Sequence, residues 1–586
     1  MATTLIPDAH GALSPRERLE ALTELDDGGR RLRALPPDEL HALILEVGLE
    51  DATEAVRLSS AEQFRALVDL DAWRRNQPDL DRALLWLRAA RGPGGRRYLR
   101  KLETLDIELF ELLLKQRLEV HDLTQDPEAD TRGTPWRSFD GYFLVGLPDD
   151  PLQAHTLQQL LTDLYAQDAG RAQRILTALG SELVSELEEQ ALRWRTARLE
   201  DLGFPPLEKA VELYAKRARP ARPERSKGPT IPRTAMTATA SGPDLFRRAL
   251  AELPPEEADI VVAGLRGVGN QALVADAVDL GDAVRAREVL ERVQATLSLG
   301  LAELAGAEED GSAGRRAEAE GPEHPKAEDA AARCLVSSAL REIFQVGFTK
   351  TLELQWAAAR ALAEGPLRLP GERETVLDPP DRDLFAALAQ RRPIFPGALD
   401  GPGAPARPFR TPQDLALARE ALARAERLGR LVQAAGLDLS VAAKLFEPYA
   451  GLHPPSTLRL SDLYLTALAH EIIGTLGPLG RSDPAASSFV PAPLRPSEAT
   501  RALEVAFGSN PEGPRPVALL PEPRPELVAA GHGRLRRAAP SMGPEALADA
   551  DRFWALCLQR LRDEVGRPAS RGEPLPPGGP WKLVPE

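Results

Sequence analysis

Cysteine is nearly absent: Cys334 and Cys557 are the two in 586 residues. They stand far apart among apolar neighbours, so neither a disulfide framework nor a thiolate zinc site can be assembled from them. The expectation that follows is a reducing compartment, and the chain reads as cytoplasmic. Aromatic residues make up 5% of the chain, which deprives β-sheets of the side chains they favour. Long apolar runs are missing too. A spanning helix needs roughly 20 nearly uninterrupted apolar residues, and the best stretch, Leu463 to Gly480, carries His470, Glu471 and Pro478. No membrane is expected as a partner. Met1 to Arg18 has no basic segment followed by an apolar one, and Pro7, Asp8 and His10 interrupt what apolarity there is, so no secretion signal is expected. Basic residues number 73 against 88 acidic ones, a net charge of −15, which works against general affinity for phosphate backbones or anionic lipid heads.

What is present is helix-forming. Leu, Ala, Arg and Glu dominate. Ser14-Pro15-Arg16-Glu17 combines a capping box with proline at the first helical position. Leu35-Pro36-Pro37-Asp38-Glu39 opens another helix, in which Leu40, Leu43, Ile44 and Val47 share one face before Gly48 ends it. Leu253-Pro254-Pro255-Glu256-Glu257 echoes that start and hints at a distant internal repeat. A further start at Ser59-Ser60-Ala61-Glu62 turns Phe64, Leu67 and Val68 inward. The fold class expected is all-α: arrays of short antiparallel helices, superhelical in arrangement. One departure is expected near residues 118–147. There Trp136-Arg137-Ser138-Phe139 and Tyr142-Phe143-Leu144-Val145 flank Asp140-Gly141, a strong hairpin signal, with Leu118 to Leu123 as a third strand.

At about 100–200 residues per domain, the length suggests several units. Residues 14–218 read as an N-terminal helical array with the inserted hairpin, 219–242 as a proline-rich linker, and 243–305 as a second helical unit. An acidic, flexible linker is expected over 306–329. A third helical unit follows over 330–480, opened by one long helix from Ala330 to Leu362. Residues 481–544 are proline-rich with room for short helical turns such as Ser497 to Phe507. A C-terminal helix, 545–566, should dock back on the third unit through Phe553, Trp554, Leu556, Cys557 and Leu561, and the tail 567–586 should be loose.

Familiar chemistries are missing from the pattern. His470-Glu471-Ile472-Ile473 is followed by Gly474 where a zinc protease needs its second histidine, so both residues read as ordinary helix positions. Gly264-Leu265-Arg266-Gly267-Val268-Gly269 inverts the dinucleotide spacing and reads as a break between helices. Ala539-Pro540-Ser541-Met542-Gly543 lacks the strand and the turn of a serine nucleophile elbow. No catalytic residue, cofactor or metal is therefore assigned.

Two basic clusters run against the net charge. Arg88, Arg91, Arg96, Arg97, Arg100 and Lys101 surround Tyr98 with no acid among them, and Lys216 to Lys227 is similarly basic. Such groups can hold a phosphate backbone, although a solvated loop is the favoured reading, and nucleic acid is disfavoured as a partner. Arg193-Trp194-Arg195 with Arg198 places on one helix the residue types that anchor protein interfaces.

The stretch Ser185-Glu186-Leu187-Glu188-Glu189-Gln190-Ala191-Leu192-Arg193-Trp194-Arg195, continued by Arg198-Leu199-Glu200-Asp201-Leu202-Gly203-Phe204-Pro205, resembles an uncharacterised bacterial family of long helical proteins known as a domain of unknown function. Asp140-Gly141-Tyr142 and Gly347-Phe348 to Trp356 fit that resemblance, which implies the fold and no activity. The Leu-Pro-Pro starts, over Leu32 to Leu114, are also similar to the cytosolic N-terminal domain of MgtE-type magnesium transporters. That likeness implies a superhelix of short helices and carries no ligand residues with it. The function expected is a non-enzymatic helical scaffold or adaptor that binds a protein partner. The alternatives are an enzyme whose site is assembled from residues distant in sequence, and a nucleic-acid-associated factor using the basic clusters.

Overall fold

A computed structural model describes residues 14–23, 29–74, 76–92, 96–181, 183–217, 244–316, 327–475, 489–510, 518–519, 522–575 and 579–585. It is essentially all-α, and strand is confined to small antiparallel sheets. Two compact units divide the chain, Met1–Gly347 and Phe348–Glu586. The expected linker 219–242 lies outside the described residues, as does 317–326 of the acidic stretch; helix Ala283–Arg316 extends into the earlier part of that stretch.

In the first unit the helix starts are built as their sequences indicate. The Ser14 N–H donates to Glu17 Oε2 at 2.7 Å and the Glu17 N–H donates back to Ser14 Oγ at 3.3 Å, which satisfies two orphan donors reciprocally. Ser60 and Gln63 repeat the device at helix Ala61–Asp71. Gln63 then reaches beyond it to the Leu32 and Leu35 carbonyls, at 3.1 and 2.8 Å. Helices Pro37–Val47 and Pro255–Ala275 both begin behind an N-cap proline in extended conformation (φ −58°, ψ 143° and φ −55°, ψ 149°). The two meet, because Arg266 in the second pairs with Asp38 (3.3 Å) and Glu39 in the first turn of the other. The apolar face of Pro37–Val47 feeds a core that includes Leu40, Ile44, Phe64, Leu67 and Trp86.

The expected ribbon is a three-stranded sheet of Glu119–Asp122, Thr134–Arg137 and Phe143–Leu147, the last strand in the middle. Val145 faces Val120 on one side and Trp136 on the other. Its turn is wider than two residues. The ladder ends at Arg137 opposite Leu144, and the Asp140 carboxylate accepts from Ser138 Oγ (2.5 Å) and the Tyr142 N–H (3.0 Å). This Asx turn places Phe139 and Tyr142 in the loop instead of the strands, with Gly141 at φ 78°.

Three expectations fail on tertiary grounds. Residues 264–269 do not break a helix: Pro255–Ala275 runs through them. Burial of Leu265 and Val268 and the Arg266 pairing outweigh the ~1 kcal/mol cost of each glycine, and Gly264 lets Leu340 approach to within contact of the backbone. The helix expected over Ala330 to Leu362 is two, Ala327–Ser337 and Leu340–Glu364. The second of these crosses Ala283–Arg316 backbone to backbone, where a methyl on Gly347 would strike the Thr296 carbonyl oxygen and one on Gly300 would strike the Ile343 carbonyl oxygen.

The second unit holds the third failure. The helical turn expected over Ser497 to Phe507 is there as Pro496–Phe507, but the proline-rich segment also forms the unexpected helix Pro525–Ala538. Pro496, Pro525 and Pro544 each occupy the first helical position, where the missing N–H costs nothing. Helix Pro544–Leu561 buries Phe553, Trp554, Cys557 and Leu561 of the expected set, while Leu556 is half-buried. Trp554 lies against Gly531, and the Tyr464 hydroxyl donates to the Gly531 carbonyl at 2.8 Å. Of the tail expected to be loose, Gly579 to Val584 sit in or against the fold.

Two outcomes follow for the first unit. Gly347→Ala should destabilise it by about 1–3 kcal/mol through overpacking, read as a lowered thermal midpoint, while Gly267→Ala, whose new methyl meets open space, should not. His41 is buried with no hydrogen-bond partner for Nε2 among the described residues, and burial lowers its pKa from 6.5 to about 4. The unfolded chain takes up that proton first. Stability is therefore fully present above about pH 6.5 and falls as pH drops toward 4, by about 3 kcal/mol at most. Urea titrations across that range should show the loss in the natural protein and a flatter profile in His41→Phe.

Candidate partner-binding site

Helix Val184–Asp201 carries the arginines and tryptophan singled out by sequence, and it sorts them by face. Arg195 and Arg198 point inward. Arg195 Nε donates to the Asp69 carbonyl at 2.7 Å, and its guanidinium lies 4.9 Å from the centre of the Trp73 ring. Arg198 closes on two carboxylates at once. Its Nε and Nη2 meet Asp69 at 2.7 and 2.9 Å, and its Nη1 and Nη2 meet Asp106 at 2.9 and 2.6 Å. Burial lowers the Arg195 pKa to about 10. For Arg198 burial works the same way but is overridden by Asp69 and Asp106, which hold its pKa above the ordinary value. The Asp69 carboxyl is itself raised by burial in spite of its arginine. Two neighbours on the helix point outward: Arg193 is exposed and Trp194 is 51% exposed.

The hairpin tip presents a second aromatic surface that sequence reasoning did not single out. Phe139 is 69% and Tyr142 50% exposed, yet the tip is braced from beneath. Phe139 stands edge-on to Trp136 and Tyr165, with centroids 5.9 Å apart in both pairs. Gln173 donates to Asp140 Oδ2 at 2.9 Å. The signal was there in the aromatics on both sides of Asp140-Gly141, but they were assigned to the strands.

The first basic cluster is dispersed by the fold. Arg91 is engaged with Asp163 at 2.7 Å. Lys101 is 1% exposed, donates to the Arg57 carbonyl at 2.9 Å and to that of Val56, and lies 5.6 Å from the Phe64 ring centre. It caps the carbonyl end of helix Thr53–Leu58, and burial takes its pKa down to about 7. Arg88, Arg97 and Arg100 are exposed; the Arg96 side chain lies outside the described residues. Of the second cluster, Lys216 and Arg217 are described, and Arg217 pairs with Glu342 at 2.7 Å.

A connected buried polar group belongs to the second unit. Arg560 Nη1 reaches Ser461 Oγ and Asp462 Oδ1, both at 2.6 Å, while its Nε meets Glu564 at 2.7 Å. Ser461 Oγ donates to Asp378 at 2.5 Å. Every member is occupied by another, and Ser461 and Asp462 have no exposed surface, so the cluster ties elements together. Among the described residues no three His, Cys, Asp or Glu side chains are placed to hold a metal. His470 bonds the Ala492 carbonyl at 3.0 Å and Glu471 pairs with Arg534. Ser541 Oγ donates to the Ala538 carbonyl.

A model of a family of unknown function, DUF6178, matches residues 9–576. No curated protein matches the chain, and no solved structure does. The likeness of residues 32–114 to the magnesium-transporter domain finds no support in these comparisons.

Arg198→Met should cost about 3–5 kcal/mol, because it strands two partly or fully buried carboxylates, whereas Trp194→Ala should change stability by no more than about 0.5 kcal/mol. Denaturant unfolding followed by circular dichroism separates the two.

Proposed function

Since the chain belongs to the DUF6178 family, for which no function is established, we propose from its own geometry that it is a non-enzymatic helical scaffold that binds a protein partner in the cytoplasm. The observation that carries this reading is Trp194. A large apolar side chain is left half exposed on a helix whose two inward arginines fix it to Asp69, Trp73 and Asp106. Tryptophan dominates binding energy where it fills a partner's pocket. A side chain whose backbone is already immobile gives up less freedom on binding. Arg193 beside it supplies a charged rim contact, while Arg195 and Arg198 act from inside as positioning residues. Phe139 and Tyr142 on the braced hairpin are a second rigid aromatic presentation of the same kind.

The experiment is quantitative capture of tagged protein from its own lysate, wild type beside Trp194→Ser and Phe139→Ser. A protein partner should be retained by the wild type, survive nuclease treatment and salt that strips phosphate contacts, and fall about tenfold or more with Trp194→Ser. Equal retention by both variants overturns the reading. Recovery of nucleic acid that is lost on replacing Arg97 and Arg100 with Glu would move the basic-cluster alternative ahead of it.

A further inference from the structure

The outward side of helix Val184–Asp201 carries charge that its own fold does not use. Glu186, Glu189, Arg193 and Glu200 are exposed and follow one another at intervals of three, four and seven residues, so they line one stripe. Trp194 and Asp201, seven residues apart and both exposed, run along its edge. The stripe is about 22 Å long, with Trp194 about 12 Å along the axis from Glu186 and about 9 Å from Glu200. Neither Arg193 nor any of these carboxylates enters an ion pair or a side-chain hydrogen bond among the described residues. The inward carboxylates that meet the same helix, Asp69 and Asp106, are by contrast both closed on Arg198.

Two of the outward carboxylates also stand where a helix resists them. Glu200 and Asp201 belong to the last turn, where unsatisfied carbonyls carry partial negative charge and repel a carboxylate. The basic residue of that turn, Arg198, does not offset them, because it faces inward to Asp69 and Asp106. Residues that weaken their own helix and touch nothing else in the fold are the expected mark of a surface shaped for an outside contact. Cations brought by a partner relieve both repulsions, that among the carboxylates and that between carboxylate and helix end.

We infer that this face receives a cationic amphipathic helix of another protein. Its apolar side takes Trp194, and its lysines or arginines lie about 8–12 Å to either side, opposite Glu186 and Glu189 at one end and Glu200 and Asp201 at the other. A second copy of this chain is repelled by the same carboxylates, and a phosphate backbone is repelled likewise. The inference rests on the reading of Trp194 as a partner contact and adds the charge and shape of what Trp194 meets.

The test titrates the full chain with a labelled synthetic peptide of leucine and lysine, patterned so that its helix carries leucine on one side and lysine on the other, and follows its anisotropy. A peptide with glutamate at every lysine position is the control. The lysine peptide should bind saturably and less tightly as salt is raised, and the glutamate peptide should not bind. Affinity should fall about tenfold with Trp194→Ser, and about tenfold with Glu200→Gln and Asp201→Asn combined. The thermal midpoint of that double variant should hold or rise. Glu252→Gln with Glu256→Gln, two exposed acids of other helices, should leave the affinity unchanged. No binding of the lysine peptide, binding indifferent to Trp194→Ser, or equal weakening by the Glu252 and Glu256 changes overturns the inference. So does a midpoint that falls as Glu200 and Asp201 are neutralised, since those carboxylates would then be holding the fold. The reading of Trp194 itself is decided by lysate capture: a partner lost with Trp194→Ser yet kept by the double variant leaves that reading standing while the cationic helix fails.

Discussion

Arginine forks closed on carboxylates decide which helix meets which. A helix of three turns has little stability of its own and relies on packing, and leucine and alanine pack well in many registers because apolar burial has no direction. A guanidinium does have direction, with planar donors that fit a carboxylate in few orientations. In the first unit Arg198 joins its helix to Asp69 and Asp106, Arg91 reaches Asp163, and Arg266 ties one Leu-Pro-Pro helix to the other. In the second, Arg407 holds Asp400 and Asp414, Arg427 holds Asp549, and Arg560 holds Asp462. Forming such a pair gains modest energy, whereas a misregistered helix strands a buried charge and loses far more. The arrangement thus acts as a filter against wrong packings of a repetitive, leucine-rich chain.

Features written in a few consecutive residues were legible before the structure. The capping box at Ser14, the helix start at Ser59-Ser60-Ala61-Glu62, the paired Leu-Pro-Pro starts and the Asp140-Gly141 hairpin are of this kind, since hydrogen bonds within one turn define them. Features settled by distant neighbours were not. Glycine in 264–269 signals a break only if nothing packs on it, and Leu340 does. Proline between 481 and 544 signals irregular chain only if it falls inside a helix, and Pro496, Pro525 and Pro544 fall at the starts. The seating of Lys582 required Leu494 and Asp462, which no spacing rule connects to it.

The candidate site shows the same division. Residue types in Arg193-Trp194-Arg195 and Arg198 suggest interface anchors on one helix, but successive residues on a helix project about 100° apart. Sequence gave no means of telling that Trp194 faces out while Arg195 and Arg198 face Asp69. Lys101 was grouped with five arginines by proximity along the chain. Its Nζ is instead the partner that the carbonyls of Val56 and Arg57 need, a role set by a helix some forty residues earlier. Charge counted along a sequence is a poor guide to charge available at a surface.

The burial of these forks bears on how the protein responds to its ionic surroundings. Dissolved ions screen charges across water and act weakly on pairs sheltered from it, so the clasps at Asp69, Asp462 and Asp549, all nearly inaccessible, are insulated from added electrolyte. What electrolyte does reach is the mutual repulsion of a surface with a net charge of −15. Added electrolyte relieves that repulsion while leaving the sheltered clasps in place.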